Sequence, residues 1–136
     1  MRFAFLQLAD AASAGPEGKL NALGLGVRVL TFESLPATSP LAIIGSVEAS
    51  VGEGGEYGLA VSLIEPSGLE VLLVQAKATV VDDVADTRVP TGIGFSVGLL
   101  RPFEAEGVYA IRATVGPEVA EYLFVVRTGG SSSAGT

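Results

Sequence analysis

The sequence predicts an all-β domain, an antiparallel sandwich of two sheets with eight or nine strands. Short runs alternate apolar and polar residues at every second position, which is the period of a half-buried strand. Clusters of Gly, Pro, Asp and Ser separate these runs at roughly ten-residue intervals, a spacing typical of sandwiches and barrels. No window carries the 3.6-residue apolar period of a helix.

The first predicted strand is Arg2–Ala9. A Gly-Pro-Glu-Gly turn leads to a second run, Lys19–Phe32, in which we expect a kink near Gly24 and Gly26 because glycine suits a bulge. Two prolines prevent residues 35–40 from pairing as a central strand. That segment is therefore predicted to be a connection between sheets.

Five later runs each alternate, and each is predicted to bury one row of side chains. The predicted buried rows are Leu41, Ile43, Val47 and Val51; Tyr57, Leu59, Val61 and Leu63; Leu72, Val74, Ala76, Ala78 and Val80; Ile93, Phe95, Val97 and Leu99; and Tyr109, Ile111, Ala113 and Val115. A last strand returns through residues 119–127. Residues 1–128 are then one domain, and the Gly/Ser-rich residues 129–136 are a disordered tail.

The segment Phe103–Tyr109 resembles the corner before a late strand of immunoglobulin-like sandwiches. It combines a charged corner, Gly107 and a tyrosine two residues later. In those sandwiches the tyrosine hydroxyl donates a hydrogen bond back to the backbone of the corner. We expect the same bond from Tyr109.

The charge and composition of the chain limit the classes of partner that we expect it to bind. Fifteen acidic and eight basic residues give a net charge of −7, and the cations are scattered singly. Nucleic acid and acidic membrane surfaces require concentrated basic patches, so neither is an expected partner. Only 17% of residues are charged, against about 25% in an average domain. We therefore expect apolar surface that a protein partner or a second copy covers.

The chain contains neither cysteine nor histidine, and this excludes disulfides, thiolate nucleophiles, Ser-His-Asp triads and the common zinc sites. Glu104 and Glu106 could form a carboxylate pair, but nothing in the sequence near them would raise either pKa. We predict a protein that is not an enzyme and has no cofactor or resident metal. The absence of cysteine fits a reducing compartment, and a cytoplasmic location is the default expectation.

An acidic segment and one pair of residues remain as candidate sites. Asp82, Asp83 and Asp86 could offer oxygen ligands to calcium, although their spacing is not that of an EF-hand and a solvated loop is the plainer interpretation. Asp10 and Lys19 could form an exposed ion pair that clamps the intervening loop, or could contact a ligand. Asn21 could bond its own backbone beside the turn.

Asp10, followed by the stretch Gly-Lys-Leu-Asn-Ala-Leu-Gly at residues 18–24, resembles the signature of a bacterial family of small uncharacterised proteins. In that family a strand ending in Ala-Asp leads to Gly-Lys-Leu-Asn-x-x-Gly. A proline-containing segment like residues 35–40 and a Pro-x-Gly turn like residues 66–68 follow. Ala11, Leu35 and Ser39 depart from the family pattern. The resemblance implies a β-sandwich in the bacterial cytoplasm, and directs attention to Asp10, Lys19 and Asn21.

Two functional hypotheses follow from the sequence. The first is a non-enzymatic interaction or structural module that self-associates through apolar sheet surface, because the first and last strands are apolar on both faces. The alternative is a small-ligand module that binds calcium or a carbohydrate through the loop Asp82–Asp86. The chain has no tryptophan, the residue on which sugars commonly stack, which disfavours the carbohydrate version.

Overall fold

The computed structural model describes residues 1–15, 19–81 and 88–129, and all regular structure in these residues is β. Ten strands are present there, against the eight or nine predicted. They are β1 (Arg2–Ala9), β2 (Ala11–Ala14), β3 (Leu20–Leu23), β4 (Val29–Phe32), β5 (Leu41–Ala49), β6 (Gly55–Ile64), β7 (Glu70–Val80), β8 (Thr91–Leu99), β9 (Gly107–Val115) and β10 (Glu118–Thr128).

The strands form three sheets. One has three strands in the order β1-β5-β8, the second has five in the order β4-β10-β9-β6-β7, and β2 pairs with β3 alone. Neighbouring strands are antiparallel except for β4, which runs parallel to β10. The chain thus visits the three-stranded sheet with β1, leaves it for the β2–β3 hairpin, and enters the five-stranded sheet at β4.

One hydrophobic core joins the two larger sheets. Its fully buried side chains come from β1 and β5 on one side, such as Leu8 and Ile43, and from β9 and β10 on the other, such as Ile111 and Phe124. The predicted row of β9 is buried in full. The alternation of apolar and polar residues along β9 is uninterrupted, and it therefore predicts correctly which side chains face the core.

Two bulges interrupt the alternation of faces elsewhere, because one extra residue moves every following side chain to the other side. In β1 the register shifts between Phe3 and Phe5. Phe3 and Leu8 therefore face the core together, whereas Phe5 points outward. In β7 a shift opposite Val61 leaves Leu72 55% exposed, although the alternation placed it in the core.

Three other expectations are corrected. The run Lys19–Phe32 is two strands in different sheets, because Gly24 and Gly26 adopt positive φ values of 67° and 81° that turn the chain between them. Val51 is exposed because it lies in a turn beyond β5. Ala76, predicted in the buried row of β7, is also exposed.

The β2–β3 hairpin forms a third layer outside the three-stranded sheet. β2 contacts both β5 and β8. Ala42 and Ile44 alternate with the core residue Ile43 and so face away from the core, yet they are 6% and 2% exposed. The small side chains of β2, three of them alanine, suit close contact with this outer face.

The corner before β9 contains the expected bond. The Tyr109 hydroxyl donates to the Ala105 carbonyl at 2.7 Å, and burial raises the pKa of this phenol above its ordinary value. The Tyr109 ring lies edge-on to Phe103, with centroids 5.3 Å apart. The corner is thus held by one hydrogen bond and one aromatic contact.

Candidate interaction surface

The five-stranded sheet exposes a continuous apolar area on the side opposite the core, here called the outer patch. Its members are outward-facing residues of β4, β6, β9 and β10, adjacent across the strands: Val29, Ile64, Val108, Ala110, Leu123 and Val125. Val29, Val108 and Leu123 are 48%, 54% and 53% exposed. Because these apolar side chains are grouped on one sheet face, the outer patch is the candidate interaction surface of the described residues.

Register explains why these residues share a face. Val125 lies beside Val29 on one side and Val108 on the other. Two residues further along, Leu123 lies opposite Ala110, which lies opposite Ile64. The residues that alternate with these, such as Tyr109 and Phe124, are buried in the core.

An ion-pair cluster borders the outer patch. The Arg112 guanidinium binds Glu121 at 2.6 Å and Glu70 at 3.2 Å, and so reaches across β6. Ser62 lies opposite Arg112 in the register and is 6% exposed. Two carboxylates against one guanidinium leave one net negative charge, and all three side chains are partly solvated, so the cluster contributes little to stability.

Arg28 anchors the first strand of this surface. Its guanidinium donates to the Leu123 carbonyl at 2.9 Å and lies 3.9 Å from the centre of the Tyr122 ring. The Tyr122 hydroxyl in turn donates to the Val27 carbonyl at 2.8 Å. Burial raises the pKa of Tyr122. These contacts fix β4 against β10 and hold Val29 in the outer patch.

The three residues singled out by the family resemblance lie on or beside the hairpin. Asp10 is at its base, where its N–H donates to the carbonyls of Leu23 and Gly24 at 3.0 and 3.3 Å. Lys19 is at the other end, where its carbonyl accepts a hydrogen bond from Gly15 at 2.7 Å. Four paired residues of β2 separate the two positions, roughly 13 Å of strand.

The hairpin thus places Asp10 and Lys19 at its opposite ends, and the clamp between their side chains stays a prediction. Gly24 gives Asp10 a different role. A Cβ atom built on Gly24 would lie 2.0 Å from the Asp10 carboxylate, so the aspartate occupies the space that glycine leaves free. Asn21 pairs with Ser13 in the hairpin and is exposed; the bond from its side chain to its own backbone stays a prediction.

The described residues hold no other arrangement that points to chemistry. They contain no group of three or more acidic side chains that could bind a metal ion. The loop Asp82, Asp83 and Asp86 lies outside the described residues. Glu106 accepts hydrogen bonds from the Thr128 side chain and N–H, and these lower its pKa. A carboxylate held ionised in this way is a poor general acid.

Two sheets around one core, with one face left apolar, define the class as an all-β domain. The chain belongs to a family of unknown function (DUF6941), whose model matches residues 4–127. This agrees with the resemblance to a family of uncharacterised proteins. No curated protein matches the sequence, and the described residues include no helix that is long and apolar enough to cross a membrane.

Solved structures with a similar fold include a β-glucosidase from Listeria innocua. In its complex with glucose the TM-score is 0.51 at 11% sequence identity, and in its complex with gluconolactone the TM-score is 0.50 at the same identity. The match covers 90% of this chain but only 16% of the β-glucosidase. At this level of sequence identity, the match shows only that the fold of this chain is similar to that of one segment of the β-glucosidase.

Proposed function

We propose that this chain is a non-enzymatic interaction module that self-associates through the outer patch. The observation that carries the proposal is the continuity of exposed apolar side chains across β4, β10, β9 and β6, with Leu123 near the centre. Exposed leucine and valine grouped on one face gain more from a partner than the same residues scattered singly.

The finer fold proposal is an immunoglobulin-like sandwich. The shared core of the three- and five-stranded sheets supports two stacked layers. Strands β1, β5 and β8 then correspond to one layer of an immunoglobulin domain, and β6, β9 and β10 to the other. The bond from Tyr109 to the Ala105 carbonyl matches the tyrosine corner of that fold.

A second copy is the partner that the area of this sheet face favours. The four long strands of the sheet have nine to eleven residues each, so the face measures roughly 600 Å² in projection. A standard interface buries about 800 Å² of accessible surface per partner, and the accessible area of a corrugated face exceeds its projection. Arg112 is already paired by Glu121 and Glu70, so a second copy meets no unpaired cation at this border of the patch.

The non-enzymatic part of the proposal rests on the side chains that exist. General acid–base catalysis most often uses histidine, which the chain lacks. Of the two carboxylates considered for catalysis, Glu106 is committed to Thr128 and Glu104 is exposed.

Light scattering after size exclusion, or sedimentation velocity, tests the self-association of wild type over a range of concentrations. The informative variant is Leu123→Lys, and Val51→Lys is its matched control, because both side chains are 53% exposed but Val51 lies in a turn. Full burial of a leucine stabilises by about 1.5–3 kcal/mol, and the exposed half of Leu123 accounts for about half of this. Its loss from both copies should therefore weaken dimerisation by about tenfold or more.

Dimeric wild type and Val51→Lys, beside a folded monomeric Leu123→Lys, would support the proposal. Thermal melting monitors folding, and an exposed substitution of this kind should change stability by less than about 0.5 kcal/mol. A wild-type chain that stays monomeric at high concentration would refute self-association. Dimerisation that Leu123→Lys leaves unchanged would refute the outer patch as its site.

A further inference from the structure

The free edge of the three-stranded sheet, β8, is a second surface with distinct chemistry. β8 pairs with β5 over nine residues without a register shift, and no other strand of the described residues pairs with its opposite edge. Within Thr91–Leu99 there is no charged residue and no proline. An edge of this kind presents backbone donors and acceptors to any extended chain.

The other edge strands of the described sheets have the features that block such pairing. β1 carries Arg2 and a bulge after Phe3. β7 carries Glu70, Lys77 and a bulge. β2, β3 and β4 have only four residues each. β8 is therefore the long, flat and uncharged edge in this part of the chain.

The core is also incompletely covered beside β8. Ile93 and Val97 face the core and pack against it, but both are only partly buried. Their partners in the central strand, Val47 and Ile43, are fully buried. The difference arises because β5 has a strand on each side and β8 has one. A further strand beside β8 would cover the exposed parts of Ile93 and Val97.

The outward row of β8 consists of small residues: Gly92, Gly94, Ser96 and Gly98. A Cβ atom added to Gly92 would clash with the Val47 carbonyl oxygen, whereas one added to Gly98 would meet no atom of the chain within 4 Å, so packing inside this chain does not require glycine at Gly98. Glycine within a strand commonly marks a place where another backbone approaches closely. The open space at Gly98 leaves room for a larger side chain of an added strand.

We propose that β8 binds an extended segment of a partner polypeptide by β-strand addition, and that this segment is uncharged with apolar residues at alternate positions. Backbone pairing along β8 supplies affinity, and apolar side chains over Ile93 and Val97 supply selectivity. A partner strand fits better than a second β8, because glycine opposite glycine would leave the outer space unfilled and the register weakly specified.

The probe is a synthetic peptide in which four Thr-Val units are flanked by two lysines at each end and a fluorophore is attached. Its control has prolines in place of the two central threonines, which removes backbone donors but keeps the charge. Fluorescence anisotropy gives the affinity, and NMR amide exchange locates the contact. The chain variants are Val97→Lys, which puts an inward charge on the β8 edge, and Thr79→Lys, which puts the same charge on β7.

We expect saturable binding, slower amide exchange along Thr91–Leu99, and an affinity for the proline peptide lower by about tenfold or more. Val97→Lys should weaken binding similarly, and Thr79→Lys should not. If Val97→Lys does not fold, the two peptides on wild type decide. Absent binding, equal binding of both peptides, or protection outside β8 would overturn the proposal. So would protection of β8 that grows with protein concentration alone, because the occupant would then be a second copy.

This proposal is independent of self-association through the outer patch. The peptide experiment is therefore repeated in Leu123→Lys, where the outer patch is disrupted. If Leu123→Lys binds the peptide as wild type does, then the β8 proposal holds independently of whether the outer patch mediates self-association.

Discussion

The contact between Gly24 and Asp10 leads to a quantitative prediction about the base of the hairpin. Gly24 has a φ of 67°, a conformation that costs a residue with a side chain about 1–2 kcal/mol. A Cβ atom at this position would also lie 2.6 Å from the Asp10 carboxyl carbon and 2.0 Å from one of its oxygens. Moving that side chain out of its rotamer costs about 0.5–1.5 kcal/mol more.

We therefore expect Gly24→Ala to lower the free energy of unfolding by about 2–3 kcal/mol. Gly26→Ala is the matched control. Gly26 has a similar φ of 81°, and a Cβ atom there would meet nothing within 4 Å. This variant should show the backbone cost alone, about 1–2 kcal/mol.

A double-mutant cycle with Asp10→Ala isolates the steric part. Asp10→Ala removes the carboxyl group but keeps the Cβ atom, which lies 3.1 Å from the added methyl position. The cost of Gly24→Ala should then fall toward that of Gly26→Ala. Urea denaturation followed by circular dichroism measures all four corners of the cycle. Equal costs of Gly24→Ala with and without the Asp10 carboxyl group would refute the steric account.

Three further predictions concern other parts of the molecule. Tyr109→Phe removes the donor to the Ala105 carbonyl and should lower the free energy of unfolding by about 1 kcal/mol in urea titrations; an unchanged midpoint would contradict this. Glu53 accepts hydrogen bonds from the N-terminal ammonium, which lower its pKa. Its stabilisation is therefore present above the ordinary glutamate pKa and is lost as the pH falls through the lowered value. Thermal melts of wild type and Glu53→Gln should converge in acid, and a gap that widens there would reverse the sign. Gly45→Ala would place its Cβ atom 2.4 Å from the Phe95 ring, so melting should show a loss of about 1–3 kcal/mol, and a neutral variant would show that the ring moves freely.

Period-two alternation identified the strands whose pairing is regular and failed where one extra residue interrupts it. β8 and β9 pair without a register shift, and their predicted rows face the core. The bulges in β1 and β7 have no marker of their own, since neither Ala4 nor Leu73 is a residue type reserved for bulges. The face of the residues beyond a bulge depends on the neighbouring strand, which the local sequence does not contain.

Gly24 and Gly26 indicate from the sequence alone that the chain bends between them. They do not indicate how far apart the two halves of the run lie. Whether both halves stay in one sheet depends on the partner of β4. Because β4 pairs with β10, almost a hundred residues later, the division of the run into two strands follows from a long-range contact.

The sequence indicates which strands are apolar on both faces, but not which of those faces stays exposed. Both terminal strands are apolar on two faces, and this was the reason to expect surface contacts. In β1 the outer face at Ala9 is closed, with Ala9 fully buried, and Ala42 beside it is covered where β2 crosses the sheet. In β10 the outer face stays open, with Leu123 53% exposed. Only the path of the hairpin distinguishes the two strands.

The path of the β2–β3 hairpin determines which apolar sheet face is left open for the proposed self-association. An apolar outer face on each sheet needs a cover, and the chain provides one cover itself by inserting the β2–β3 hairpin between β1 and β4. The five-stranded sheet has no equivalent insertion among the described residues, since β9 and β10 are joined by a tight turn at Gly116 and Pro117. Under the proposed self-association, the outer patch is the face that a second copy covers, and the depletion of charge within the patch itself is typical of the core of an interface.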